Sequence, residues 1–91
     1  MTVSDRLRDT IAAYCSDTDD LGDLTHDVKS GVLDWFPAEF AAAIRAGEFT
    51  PRTWELLTDV ALDDDDDELL DRYLRQVWSA AAPTEPYPLD A

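Results

Sequence analysis

Apolar residues recur along this chain at intervals of three and four, the repeat of a helix face, and no β-branched run alternates as a half-buried strand would. Leu7, Ile11 and Tyr14 make one such stripe, with Ser4 placed to cap it and Asp5 in its first turn, so a first helix is expected over about 5–15. The loop Ser16-Asp17-Thr18-Asp19-Asp20 follows. Leu21, Leu24, Val28, Val32 and Trp35 mark a second helix, weakened by Gly22 and Gly31 and closed by Pro37, because the residue before a proline is pushed out of the helical region.

Two further helices open on the same pattern. In Trp35-Phe36-Pro37-Ala38-Glu39-Phe40 and in Phe49-Thr50-Pro51-Arg52-Thr53-Trp54, proline takes the first helical position, and aromatics fall just before the cap and one turn in, the spacing of a hydrophobic staple. Gly47 stands where the third helix needs a left-handed C-terminal residue. The fourth helix is expected to bury Trp54, Leu57 and Val60. A fifth carries Leu70, Tyr73, Leu74, Val77 and Trp78, with Asp65 and Glu68 spaced like a capping box and the pairs Glu68–Arg72 and Asp71–Arg75 one turn apart. Pro83, Pro86 and Pro88 exclude a continuous helix beyond it, leaving an extended tail. The expected fold is all-α: a compact bundle of four to five short helices over residues 1–82, with an extended Pro-rich C-terminal tail over 83–91 laid across it by Tyr87 and Leu89.

Composition changes this picture in one respect. Twenty-one Asp and Glu face seven Lys and Arg in 91 residues, a formal net charge of -14. Hydrophobic residues still make up 45% of the chain, too apolar for a disordered acidic tail. The single Cys15 allows no internal disulfide and reads as a small buried hydrophobe in a reducing, cytoplasmic protein. Charged residues at 5, 6, 8 and 9 rule out a signal peptide, and no stretch approaches the roughly 20 apolar residues of a membrane span. The chain is therefore expected to be its own mature form.

Chemistry is sparse. His26 is the only histidine, and no spacing sets it against Cys15 or a serine as base and nucleophile, so an enzyme is not expected and no catalytic residue is assigned. Asp17-Thr18-Asp19-Asp20-Leu21-Gly22 opens like a calcium loop, but Leu21 and Val28 fall where ligands five and twelve belong. Consecutive aspartates do not converge on one ion without a shaped loop, so neither metal nor cofactor is expected.

The carboxylates themselves remain. One block holds Asp17, Asp19, Asp20, Asp23, Asp27 and Asp34, countered nearby only by Lys29. The other holds Asp59, Asp63, Asp64, Asp65, Asp66, Asp67, Glu68 and Asp71, with no basic residue among them. A charge run is ordinarily a solvated face, yet solubility of a small domain calls for a net magnitude of only about 2–8. The excess points to use. A surface this negative repels nucleic acid and anionic membranes and draws in basic proteins. The candidate partner-binding residues are Asp19, Asp20, Asp23, Asp34, Trp35, Asp63, Asp64, Asp65, Asp66, Asp67, Glu68 and Asp71. Trp35 fits two places, a core staple or an exposed anchor against arginine.

Phe40, Ala43-Ile44, Gly47, Thr50-Pro51, Trp54, Leu57 and Thr58, then the acidic stretch, then Tyr73-Leu74 and Val77-Trp78, give the run from Phe36 to Trp78 a pattern that resembles small acidic bacterial immunity proteins, the antidotes of polymorphic or contact-dependent toxins. The tyrosine-rich signature of the colicin-type nuclease immunity proteins is missing, so no contact residue transfers. The resemblance implies a helical protein, monomeric when free, that binds a cognate toxin one-to-one in the cytoplasm and blocks its active site. A basic, nuclease-type toxin suits the charge. Two other classes stand beside it: a nucleic-acid mimic of the anti-restriction or anti-CRISPR type, which uses the same carboxylates spaced like phosphates along an elongated face, and a non-enzymatic adaptor that binds through an apolar groove and not through the acidic face.

Overall fold

Capping and left-handed residues cut the described residues into five helices: α1 (Asp5–Tyr14), α2 (Gly22–Ser30), α3 (Phe36–Arg45), α4 (Pro51–Thr58) and α5 (Asp67–Ala81). These come from a computed structural model that describes residues 4–16 and 21–90, and no strand occurs among the described residues. The all-α expectation holds. α1 packs on α3 and α4, and α5 packs on α2, α3 and α4. The Cα radius of gyration is 12.0 Å, about what a folded chain of this length requires.

The local signals mostly act as read. Ser4 caps α1 by accepting a hydrogen bond from the Leu7 amide at 3.3 Å. Thr50 caps α4, accepting from the Thr53 amide at 3.1 Å, with Pro51 at the first helical position. Phe49 and Trp54 close the staple edge-to-face, ring centroids 5.7 Å apart. At the end of α3, Gly47 takes φ +69°. The Glu48 amide reaches back to the Ala43 carbonyl and the Gly47 amide to that of Ile44, the paired bonds of a Schellman motif.

Four expectations need correction. α2 ends at Ser30, not at Pro37, because Gly31 adopts φ +92° and turns the chain. The five residues that follow form turns that bury Leu33 and leave Val32 66% exposed. α3 starts at Phe36, with Pro37 second, and its cap position, Trp35, is already helical in conformation. α4 stops at Thr58, where Asp59 turns left-handed at φ +61°, so Val60 lies outside the helix and is only half-buried. The Asp65–Glu68 capping box does not form: the cap residue of α5 is Asp66, and its side chain turns backward.

A row of aromatics runs through the core. Phe36 stacks on Phe40 (5.2 Å between centroids), Phe40 meets Phe49 (5.3 Å), and Phe49 meets the fully buried Trp54. Leu7 and Ile11 of α1, Leu24 of α2, and Leu70, Leu74, Val77 and Trp78 of α5 pack around them. Cys15 is fully buried, and burial pushes its thiol up to about 12, so it stays protonated and inert.

The proline-rich segment is not simply extended. It passes through turns and folds back along α5, where the Trp78 indole N–H donates to the Glu85 and Pro86 carbonyls at 3.2 and 3.1 Å. Tyr87 is buried beneath Arg75, whose guanidinium sits 4.3 Å from the ring centre and forks onto both carboxylate oxygens of Asp90. Leu89, expected to help anchor this segment, is 61% exposed. No described helix is long and apolar enough to cross a membrane.

Candidate functional site

Two buried leucines set the shape of the second acidic block. Leu62 and Leu70 are each more than nine-tenths buried, and the seven residues between them contain no other fully buried side chain. The hydrophobic effect fixes the ends, and the intervening charges are left facing water. Hydrogen bonds then define the turn. The Leu62 amide donates to Glu55 Oε2 at 2.8 Å, tying the turn to α4. The Asp63 amide donates to Asp66 Oδ2 at 2.8 Å, and the Asp66 amide returns to the Asp63 carbonyl at 3.0 Å. Glu55 was not among the expected site residues, and no signal in the sequence links it to a residue seven positions on.

Because Asp66 points back to Asp63, no side chain among the described residues caps α5. The open amides at the start of α5 are the positive end of its dipole, and they offset part of the repulsion among Asp66, Asp67 and Glu68. Asp63, Asp64, Asp65, Asp67 and Glu68 are exposed and Asp66 is half-buried. None of the six forms an ion pair among the described residues. The sequence pairing Glu68–Arg72 is therefore not realised, whereas Asp71–Arg75 is, at 2.8 Å. Among the described residues Asp71 keeps its Oδ1 free of hydrogen bonds, since Arg75 uses only Oδ2.

The turn also overrides an expectation about convergence. Carboxylate oxygens of Asp63, Asp65 and Asp66 all lie within 4.8 Å of one another. A tight turn can gather near-consecutive side chains that an extended run would splay. Asp63 and Asp65 are exposed, and such clusters are common on acidic surfaces without a cation.

The first block is arranged differently. Asp19 and Asp20 lie outside the described residues. Asp23 is exposed on α2. Asp27 accepts a hydrogen bond from the Tyr14 hydroxyl, which ties α1 to α2 and, with burial, raises the tyrosine above its ordinary range. Asp34 is exposed beyond the Gly31 turn, at the far end of α2 from Leu21. Trp35 is half-buried, edge-on to Phe36 at 6.0 Å, and Arg6 lies 4.4 Å over its ring. Arg6 also pairs with Glu39, whose carboxyl is held below its usual range chiefly by the Ser4 hydroxyl, donated at 2.6 Å, and then by Arg6. Trp35 thus already has an internal cation on its face. Among the described residues no ion pair or hydrogen bond joins Asp34 or Trp35 to the second block.

The residue just before α2 lies against the second block. There Leu21 faces Glu68, Asp71, Arg72, Arg75, Gln76 and Ser79 across an open groove of about 680 Å³. Its lining is mixed in sign, so it extends the second block without deepening its charge. His26 is exposed on α2, with no nucleophile hydrogen-bonded to it among the described residues. Compared with protein-family models, with curated proteins and with solved structures, the chain matches none.

Proposed function

We propose that this chain is an antidote of the immunity type, which docks on a basic, nuclease-type toxin domain and covers the cationic site where that protein holds phosphate. The observation that carries the reading is the six-residue run Asp63 to Glu68, fixed at both ends by buried leucines and left without an ion pair among the described residues. Unpaired carboxylates on a defined turn present to a Lys- and Arg-lined site the same charge that phosphate oxygens would. Such a field steers encounter and raises association rates, a benefit to any antidote that must reach its target quickly.

The shape favours this over a nucleic-acid mimic. The molecule measures 36 × 27 × 25 Å, and six consecutive unpaired carboxylates, Asp63 to Glu68, gather on one turn and helix start, not along an extended row. The test is capture from the source organism on the immobilised chain, followed by elution in a salt series and an activity assay of whatever is recovered. The reading predicts a basic protein that elutes as salt rises and whose activity the chain blocks. Recovery of an acidic partner, or binding indifferent to salt, contradicts it.

A further inference from the structure

Below the acidic turn, between the end of α3 and the first half of α5, lies a second and smaller cavity of about 190 Å³. Ile44, Phe49, Leu70, Leu74, Tyr87 and Leu89 wall it, and Asp67 and Asp71 are the only charged lining residues among those described. Small-molecule sites usually span about 300–1,000 Å³, so this space suits one side chain and not a cofactor. Among the described residues Asp71 has one oxygen unused and the buried Tyr87 hydroxyl has no partner, and Leu89 stands exposed at the wall. Apolar walls with carboxylates beside them select a guest that has both an aliphatic stem and a cationic head. A lysine side chain is such a guest: its methylenes take the apolar surface and its ammonium stays with the carboxylates.

We propose that this cavity is the socket for one lysine of the basic partner. The proposal rests on the acidic-surface reading for the identity of that partner, but the socket's chemistry is testable without it. The probe is n-butylammonium chloride, the lysine side chain without its backbone, titrated into the full-length ¹⁵N-labelled chain and followed by amide shifts. n-Butanol and sodium chloride serve as the neutral and ionic controls.

Saturating shifts are expected at Gly47, Phe49, Leu70, Leu74 and Leu89, with butanol binding about tenfold more weakly, the worth of one charge-assisted hydrogen bond. Asp67→Asn, an exposed substitution, weakens the ammonium severalfold and leaves butanol unchanged. Equal binding of butanol and the ammonium overturns the socket. So do shifts that never saturate and centre on Asp63 to Asp65, which mark only the diffuse attraction of the run. Either result leaves salt-dependent docking of a protein partner standing, so failure of the socket and failure of the acidic surface are separately visible.

Discussion

Asp27 and Asp66 are both half-buried aspartates in acidic stretches, and their carboxylates do opposite things. Asp27 is drawn into the fold by the Tyr14 hydroxyl and joins two helices. Asp66 bends back to its own turn through the Asp63 amide and leaves its neighbours outward and unpaired. The same contrast holds for the blocks. Around α2 the described carboxylates, Asp23, Asp27 and Asp34, are distributed over a helix and a turn, one of them committed internally. Between Leu62 and Leu70 they are gathered. A count of charges does not define a surface; a surface requires a local fold that holds charges together against their repulsion, here buried leucines, a hydrogen-bonded turn and a helix N-terminus.

The strongest way to break the comparison is to remove the anchors. Leu62→Ala and Leu70→Ala should each destabilise the domain by about 2–5 kcal/mol, as other buried leucines do, out of a total of roughly 5–14 kcal/mol expected for this length. Urea unfolding measures it. The exposed Val32→Ala, in the turn after α2, should stay within about 0.5 kcal/mol. Equal losses at both places would show that the leucines have no special hold on the acidic turn.

The tie in the first block is weaker. Tyr14→Phe should lose about 1 kcal/mol at neutral pH, the usual net value of such a hydrogen bond. The folded tyrosine titrates above its ordinary value of 10.0, with the Asp27 bond the largest cause, so the protonated hydroxyl stabilises the fold. That contribution is complete below pH 10 and is lost as pH rises through the folded value. The stability gap between wild type and Tyr14→Phe should therefore narrow in strong alkali, and a gap independent of pH would remove the hydrogen bond from the account.

Glu39 offers the opposite limb and a smaller effect. Its carboxyl is depressed below 4.5, first by Ser4 and then by Arg6, so its contribution is present above that value and lost as pH falls through the folded one. Glu39→Gln should close most of its stability gap to wild type in acid, read by unfolding at pH 7 and pH 3. Cys15 gives the mildest test. Its thiol should react with an aromatic disulfide reagent only at the rate of unfolding, and fast modification in native buffer would contradict its burial.

Helix number and type were legible because the 3.6-residue stripes, the Thr50 cap, Pro51 and Gly47 all pointed the same way. Boundaries failed where a left-handed residue decided them: Gly31 ended α2 six residues before the proline expected to do so, and Asp59, which needs no glycine, ended α4. The acidic run was plain in the sequence, but its shape was not, since that depends on Glu55 reaching forward and Asp66 reaching back. The role of Tyr87 in the smaller cavity was equally hidden. A tail laid across the bundle by Tyr87 was expected, but not the turns within it, nor the pairing of Arg75 with Asp90 and of Trp78 with the Glu85 and Pro86 carbonyls that hold it on α5.

The central claim is that the gathered block, and not acidity in general, meets the partner. It is tested most directly by association rates of the captured partner across a salt series, measured for the wild type and two charge-reversed chains. The combined reversal Asp64→Lys, Asp65→Lys and Glu68→Lys should slow association by about tenfold or more at low salt and flatten its salt dependence. The reversal Asp23→Lys with Asp34→Lys should act far less. Equal slowing by both chains, or none by the first, contradicts the account.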